Sequence, residues 1–302
     1  MRVLIAGWFS FYDMGATAGD MIARDIVLQW LKEVNIDADV ADSAKFPYEG
    51  GVDWRLADTS IYTDLLFVCG PFGNGWPVTN LLERFNHCRL LGLNLSMMES
   101  LDVWNPFSLL IERDSSRGNN PDITLYAAPP AVPVVGIILS HKQKEYGNKS
   151  LHETANAAIE QLLDKVEVAR VTIDTSLLEN SGGLRTSGEV ESLISKMDLV
   201  ITTRLHGTAL AIKNGVPVIA IDPIFGGAKI SSQAEALGWP ILFNTESLDE
   251  NKLLDAFHYC LTPNARVKAM ECAGAAIKKI ETLKESFLSQ LCLPNKRYAY
   301  GN

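Results

Sequence analysis

Arg204-Leu-His206 sets a permanent cation two positions from an imidazole, the side chain that titrates near neutral pH. A pair of this kind can grip an anion and move a proton on or off it. The flanking residues say how it is positioned. Leu199 to Thr203 is a short apolar, β-branched run and Val216 to Ile221 is another. Between them Thr208 to Asn214 is helix-forming and stops at Gly215, the residue type preferred just past a helix end. The stretch therefore reads as a βαβ unit of minimum length, with Arg204 and His206 where the first strand gives way to the helix. Ligands of open α/β sheets bind at such a turn, because the helix N–H groups there are unpaired and the helix dipole favours anions.

Four further polar sets stand at strand ends or helix starts. Gly15-Ala-Thr-Ala-Gly19-Asp20 opens the first helix; it reads either as an N-cap, with Thr17 or Asp20 accepting helix N–H bonds, or as a ligand loop, and both can hold at once. It has neither the Gly-x-Gly-x-x-Gly of a dinucleotide site nor the Gly-Lys-Ser/Thr of an NTPase loop. Gly70-Pro-Phe-Gly-Asn-Gly75 follows a strand and reads as a close-approach turn or an ordinary loop. Asp222-Pro-Ile-Phe-Gly-Gly-Ala-Lys229 follows the strand after the Arg-Leu-His helix, so Lys229 is a second cation for Arg204 or a surface lysine on a solvated loop. Glu112-Arg113-Asp114 closes an apolar run and is a binding candidate or a surface ion pair.

The elements that must hold these residues alternate between extended and helical patterns. Val3–Ala6, 38–41, 64–70, 93–97, 109–114 and 123–127 are expected strands. Helices are expected from about Asp20 to Val34, with Ile22, Ile26, Val27 and Trp30 on one face, and over 78–91. Ala127 to Pro133 carries three prolines, which remove donors and fix φ, and reads as a semi-rigid connector. A second series follows: strands at 134–139, 169–173, 199–203, 216–221 and 241–243, helices at 151–166, 188–196, 208–214 and 231–237, and mostly helix from 248 to about 291, broken near Pro263. The fold class is α/β: two Rossmann-like doubly wound domains, 1–128 and 134–302, facing a cleft across a Pro-rich hinge.

Composition narrows the partners. Of 302 residues, 47% are hydrophobic and 21% charged, values of a soluble globular protein, and the length suggests two domains of about 150 residues each. A net charge of -9 argues against a general nucleic-acid or anionic-membrane surface, while leaving room for a small anionic ligand on a local cation pair. The five cysteines are dispersed with no Cys-x-x-Cys, which reads as reduced core thiols and argues against a zinc site. No apolar run reaches the roughly 18 residues of a membrane span, and the short apolar N-terminus reads as a buried strand, so a cytoplasmic location is expected.

Asp198-Leu-Val-Ile-Thr-Thr-Arg-Leu-His-Gly, continuing through Gly215-Val-Pro-Val-Ile-Ala-Ile, resembles the polysaccharide pyruvyl transferase family. Lys229 to Gly238 looks like that family's following segment, Gly19-Asp20 is similar to its glycine-aspartate motif, and Ile111 to Asp114 resembles its Arg-Asp segment. The family's usual Gly-Asn before Gly-Asp is replaced here by Gly-Ala-Thr-Ala. The resemblance implies a GT-B-like pair of Rossmann domains that transfers the pyruvyl group of phosphoenolpyruvate onto two sugar hydroxyls as a cyclic ketal and releases phosphate. It implies an N-terminal acceptor side and a C-terminal donor side. In that scheme Arg204 binds the donor with support from Lys229 or Arg113, His206 is the proton donor, and Asp20, beside Gly19, accepts a proton from the sugar hydroxyl or orients it. Phosphoenolpyruvate is then a substrate, and neither a metal nor a redox cofactor is required. Two other readings use the same residues: a GT-B glycosyltransferase or sugar-nucleotide epimerase holding a nucleotide diphosphate on Arg204 and Lys229, and a non-catalytic sugar- or metabolite-binding module. The acceptor sugar and the oligomeric state are left open.

Overall fold

The computed structural model describes residues 1–140, 144–178 and 180–292. The chain divides into two compact units, Met1–Pro130 and Ala131–Asn302.

Unit 1 is built from β1 (Arg2–Ala6), α1 (Ala18–Glu33), β2 (Asp37–Val40), β3 (Asp64–Val68), β4 (Pro71–Phe72), α2 (Val78–Arg84), β5 (Arg89–Met97) and β6 (Leu109–Asp114). Every pairing in its sheet is parallel. β1 lies between β2 and β3, β5 follows β3, and β6 flanks β5, while β4 carries the line of β3 onward along β5 after a break at Cys69-Gly70. Side chains on a strand alternate between faces, and the two cores of this unit show that alternation directly. Leu4, Ala6, Leu65 and Phe67 belong to one apolar cluster with Val78 and Leu81 of α2. Val3, Ile5, Leu66 and Val68 belong to another with Val27 of α1. A sheet whose neighbours are both apolar must be covered on both faces, which makes the unit doubly wound.

Unit 2 contains β7 (Val134–Ile138), α3 (His152–Leu163), β8 (Ala169–Thr172), α4 (Ser187–Ile194), β9 (Leu199–Thr202), α5 (Leu205–Lys213), β10 (Val218–Asp222), α6 (Lys229–Leu237), β11 (Leu242–Asn244), α7 (Glu250–Cys260) and α8 (Pro263–Leu291). The sheet order is β11-β10-β9-β7-β8, again all parallel. The long α8 packs on α5 and α6. Pro263 at the first position of α8 and Thr262, whose hydroxyl accepts from the Ala265 N–H at 3.3 Å, restart the helix after α7.

Both units therefore share one topology. The chain leaves the first strand (β1 or β7) to one side, then returns to its other side (β3 or β9). The crevice at the carboxyl ends of those two strands is a topological switch point, the place where open α/β sheets bind ligands.

Three sequence expectations change. Residues 123–127, expected as a strand, form a 3-10 turn over Ile123–Tyr126, because the Asp122 carboxylate accepts from the Thr124 N–H at 2.9 Å and folds the chain back. The helix expected over 78–91 ends at Arg84, and Arg89 already pairs with Asp64 in the sheet, so the apolar residues Leu90 and Leu91 serve a strand. Finally, α6 starts at Lys229, earlier than the expected 231, so Lys229 stands in the first turn of a helix and not in a loop.

Candidate functional site

In unit 2 the two strand ends at the switch point are tied together by hydrogen bonds. Ser140, just past β7, donates its N–H to Thr203 Oγ1 at 2.9 Å and its hydroxyl to the Thr203 carbonyl at 2.8 Å. Thr202 Oγ1 donates to the Ile138 carbonyl at 2.7 Å and accepts from the Arg204 N–H at 3.0 Å. These bonds tie the ends of β7 and β9 together and fix Arg204 as the residue preceding α5. Gly207 is required by that arrangement: a Cβ there would lie 2.2 Å from Thr202 Oγ1 and 3.1 Å from Ile138 Cγ2. The Arg-Leu-His-Gly order is thus a helix start pressed onto the strand that precedes it, with His206 exposed at its rim.

A pocket of about 390 Å³ opens on this turn. Arg204, His206 and Lys229 line it together, with Ser140, His152 and Asp222. Arg204 Nη1 donates to Asp174 Oδ1 at 3.1 Å and to Thr175 Oγ1 at 2.8 Å, which holds the guanidinium in one orientation. Lys229 Nζ stands 5.4 Å from the centroid of the Tyr146 ring. Asp222 is buried, and its carboxylate is consumed by the start of α6: Oδ2 accepts from the Ala228 N–H at 2.7 Å and from the Ser231 N–H and hydroxyl at 2.9 and 2.8 Å, while Oδ1 accepts from the Ile224 N–H at 3.2 Å. It shapes the loop that delivers Lys229. α5 and α6 both begin at the pocket wall, so their dipoles act in the same sense as the Arg204 and Lys229 side chains. The arrangement could receive an anion, with an imidazole at its edge.

Gly19, Asp20 and Arg113 line a different pocket, of about 430 Å³, at the switch point of unit 1. Asp20 is buried; its Oδ2 accepts from the Thr17 N–H at 2.7 Å and from the Thr17 hydroxyl at 2.8 Å, tying off the first turn of α1. Its Oδ1 faces the turn after β3, where Cys69 and Gly70 both have positive φ, 58° and 77°. A Cβ on Gly70 would meet Trp8 Cδ1 at 2.4 Å and lie 3.4 Å from Asp20 Oδ1. Arg113 is engaged by its neighbours: Nη1 donates to Asp122 Oδ2 at 2.8 Å and Nη2 to Ser96 Oγ at 2.6 Å. Burial penalises the Arg113 cation, but Asp122, Cys69 and Asp114 together outweigh that and raise its pKa. Asp122 loses some solvation too, yet hydrogen bonds from Thr124 and Arg113 hold it below the usual carboxylate range. Burial, followed by the charges of Asp20 and Asp122, pushes the Cys69 thiol up.

The six residues marked as candidates from the sequence thus fall three to a pocket. Missed by that reasoning were Ser140, His152, Asp174 and Thr175. His152 opens α3, buried, with Nδ1 2.8 Å from Ser150 Oγ. Its signal, a histidine starting a helix after a serine, is too common to single out. Asp174 and Thr175 sit just past β8, the strand end on the far side of β7, and only the strand order brings them to Arg204.

The model of the polysaccharide pyruvyl transferase family matches residues 121–223, a span that ends just past β10 and includes Arg204 and His206. No curated protein matches the chain. Among solved structures, the chain is similar to the spinosyn rhamnosyltransferase SpnG, at 13% identity and a TM-score of 0.33 over 94% of this chain and 100% of that one. It is similar to MurG of Acinetobacter baumannii at 11% identity and a TM-score of 0.33, covering 91% and 95% of the two chains. CalG4, the calicheamicin glycosyltransferase, gives 10% identity and a TM-score of 0.34, covering 97% and 99%. Among the described residues, no helix is long and apolar enough to cross a membrane.

Proposed function

We propose that this protein is a transferase that moves the pyruvyl group of phosphoenolpyruvate onto two hydroxyls of a sugar, as a ketal, with release of phosphate. The observation that carries the reading is the convergence of Arg204, Lys229 and the starts of α5 and α6 on the pocket that His206 edges. Phosphoenolpyruvate presents a carboxylate and a phosphate, two anions on one small frame, and this pocket offers two side-chain cations and two helix N-termini. The family match over residues 121–223 supports the same choice of donor.

In the proposed reaction His206, as imidazolium, gives its proton to the methylene carbon of phosphoenolpyruvate. That carbon becomes the methyl group, and positive charge develops at the neighbouring carbon that bears phosphate. A sugar hydroxyl adds there and loses its proton, phosphate departs with the electrons of its C–O bond, and a second hydroxyl closes the ketal. One of the two hydroxyl protons restores the imidazolium and the other leaves with phosphate. General acid catalysis of the first step contributes typically 10²–10⁴-fold. In unit 1, Asp20 orients an acceptor hydroxyl through Oδ1, since Oδ2 is committed to Thr17. Gly19 lets the acceptor approach the start of α1, and Arg113 with Asp122 fixes the pocket wall.

The test is phosphate release from phosphoenolpyruvate in the presence of a panel of lipid-linked, nucleotide-linked and free sugars. Sugar-dependent phosphate supports the reading. No sugar-dependent phosphate, together with tight binding of a nucleoside diphosphate, overturns it in favour of a nucleotide-sugar enzyme.

A further inference from the structure

A third pocket, of about 340 Å³, lies in unit 1 beside the Asp20 pocket, and Met14 lines both. Its walls come from three stretches of the chain: Tyr12 and Asp13 after β1, Trp54 and Arg55 between β2 and β3, and Trp76 and Asn80 at the start of α2. The aromatic content is unusual for a surface. Trp76 is 62% exposed and Tyr12 is 49% exposed. Trp54 is buried and locked, its Nε1 donating to the Ser10 carbonyl at 2.9 Å, with the Arg55 guanidinium 5.4 Å from its ring centroid. Asp13, Arg55 and Asn80 are exposed polar side chains on the same pocket.

We infer that this pocket binds a pyranose ring, so that the acceptor is a glycan of at least two sugar residues. A pyranose is amphipathic in just this way: one face carries C–H groups that pack on an indole or phenol ring, and the rim carries hydroxyls that need both donors and acceptors. Asp13 supplies an acceptor, Arg55 donors, and Asn80 one of each. A lipid tail or an apolar peptide side chain would use the rings but offer those polar groups no partner. The wall shared through Met14 places the two pockets side by side, as adjoining rings of one chain require. That this glycan is the acceptor rests on the pyruvyl-transfer reading; the binding of sugar does not.

The test uses the full chain on a glycan array carrying hexose, N-acetylhexosamine and uronic-acid monosaccharides and disaccharides in α and β linkages, without phosphoenolpyruvate. Hits are followed by saturation-transfer NMR. At least one disaccharide is expected to bind better than its monosaccharides, with transfer strongest to the C–H protons of one ring face. Trp76→Ala should weaken that binding at least tenfold, and Trp76→Phe, which keeps a stacking face, should recover most of it. His206→Ala should leave it unchanged. Circular dichroism and a thermal melt confirm that Trp76→Ala is folded; Asn80→Ala, on the exposed side of α2, gives an independent loss of affinity. Failure of every disaccharide to bind, or binding that survives both Trp76→Ala and Asn80→Ala, overturns the inference. Glycan binding without any phosphate release would leave the sugar site standing and sink the pyruvyl-transfer reading instead.

Discussion

Arg204 donates through a single nitrogen, Nη1, to both Asp174 at 3.1 Å and Thr175 at 2.8 Å, from the loop that follows β8. One edge of the guanidinium is thus anchored inside the unit, and the remaining N–H groups stay available to a ligand in the pocket. An unanchored arginine would spend rotamer entropy on every binding event; this one has already spent it in folding.

Removing the anchor should therefore weaken donor binding without touching proton transfer. Asp174→Ala is expected to raise KM for phosphoenolpyruvate about tenfold, the equivalent of roughly 1.4 kcal/mol, with kcat changed less than about threefold. Asp174→Asn, which keeps an acceptor, should fall between. Steady-state kinetics decides: a loss confined to kcat would mean that Asp174 serves chemistry and not the placement of Arg204.

Gly207→Ala tests the start of α5. The new methyl would sit 2.2 Å from Thr202 Oγ1, an atom already bonded to the Ile138 carbonyl. Overpacking of this kind costs about 2 kcal/mol. A lower denaturation midpoint with unchanged m is expected, and a variant as stable as the parent would show that Thr202 moves freely.

The cysteines should sort by burial. Cys69, Cys88, Cys260 and Cys272 all have raised pKa values with burial as the leading cause, that of Cys260 reaching about 12, while Cys292 is exposed. The thiolate is the reactive form, so iodoacetamide at neutral pH should modify Cys292 and spare the other four on the same timescale. Peptide mass spectrometry reads this out, and prompt modification of Cys69 would contradict the closed turn after β3.

Asp122→Asn removes the charge that Arg113 faces at 2.8 Å. Because the folded-state pKa of Asp122 lies below its unfolded value, its contribution is present above the unfolded pKa and disappears as pH falls through the folded one. The variant should lose about 1 kcal/mol at neutral pH and become equal to the parent in acid below the ordinary carboxylate range. Five of the six tryptophans, Trp8, Trp30, Trp54, Trp76 and Trp104, lie in unit 1, so tryptophan fluorescence mainly follows that unit's transition. A difference independent of pH would mean that shape, and not charge, matters there.

The sequence displayed the strand-turn-helix around Arg204 because three signals agree there: β-branched runs, a helix former and a terminal glycine. Lys229 was harder, since its helix begins with no side-chain cap of its own and is instead held by Asp222, a residue of the preceding strand. Asp174 was invisible, because its role depends on β8 lying across β7 from β9, and strand order is not a local property. The strand expected at 123–127 failed for a local reason that propensity averages out, one carboxylate turning the chain. The Trp76 pocket escaped notice because its three stretches are far apart in sequence, and no single one of them carries a pattern.

The central claim is that the unit 2 pocket receives phosphoenolpyruvate through Arg204. Isothermal titration of phosphoenolpyruvate into the native protein, Arg204→Ala and His206→Ala tests it without any knowledge of the acceptor. The account predicts saturable binding to the native protein, a loss of at least about tenfold in Arg204→Ala, as expected for a charged hydrogen-bond donor, and binding within about threefold of native in His206→Ala, whose task is proton transfer. Equal affinity for the native protein and Arg204→Ala would contradict it.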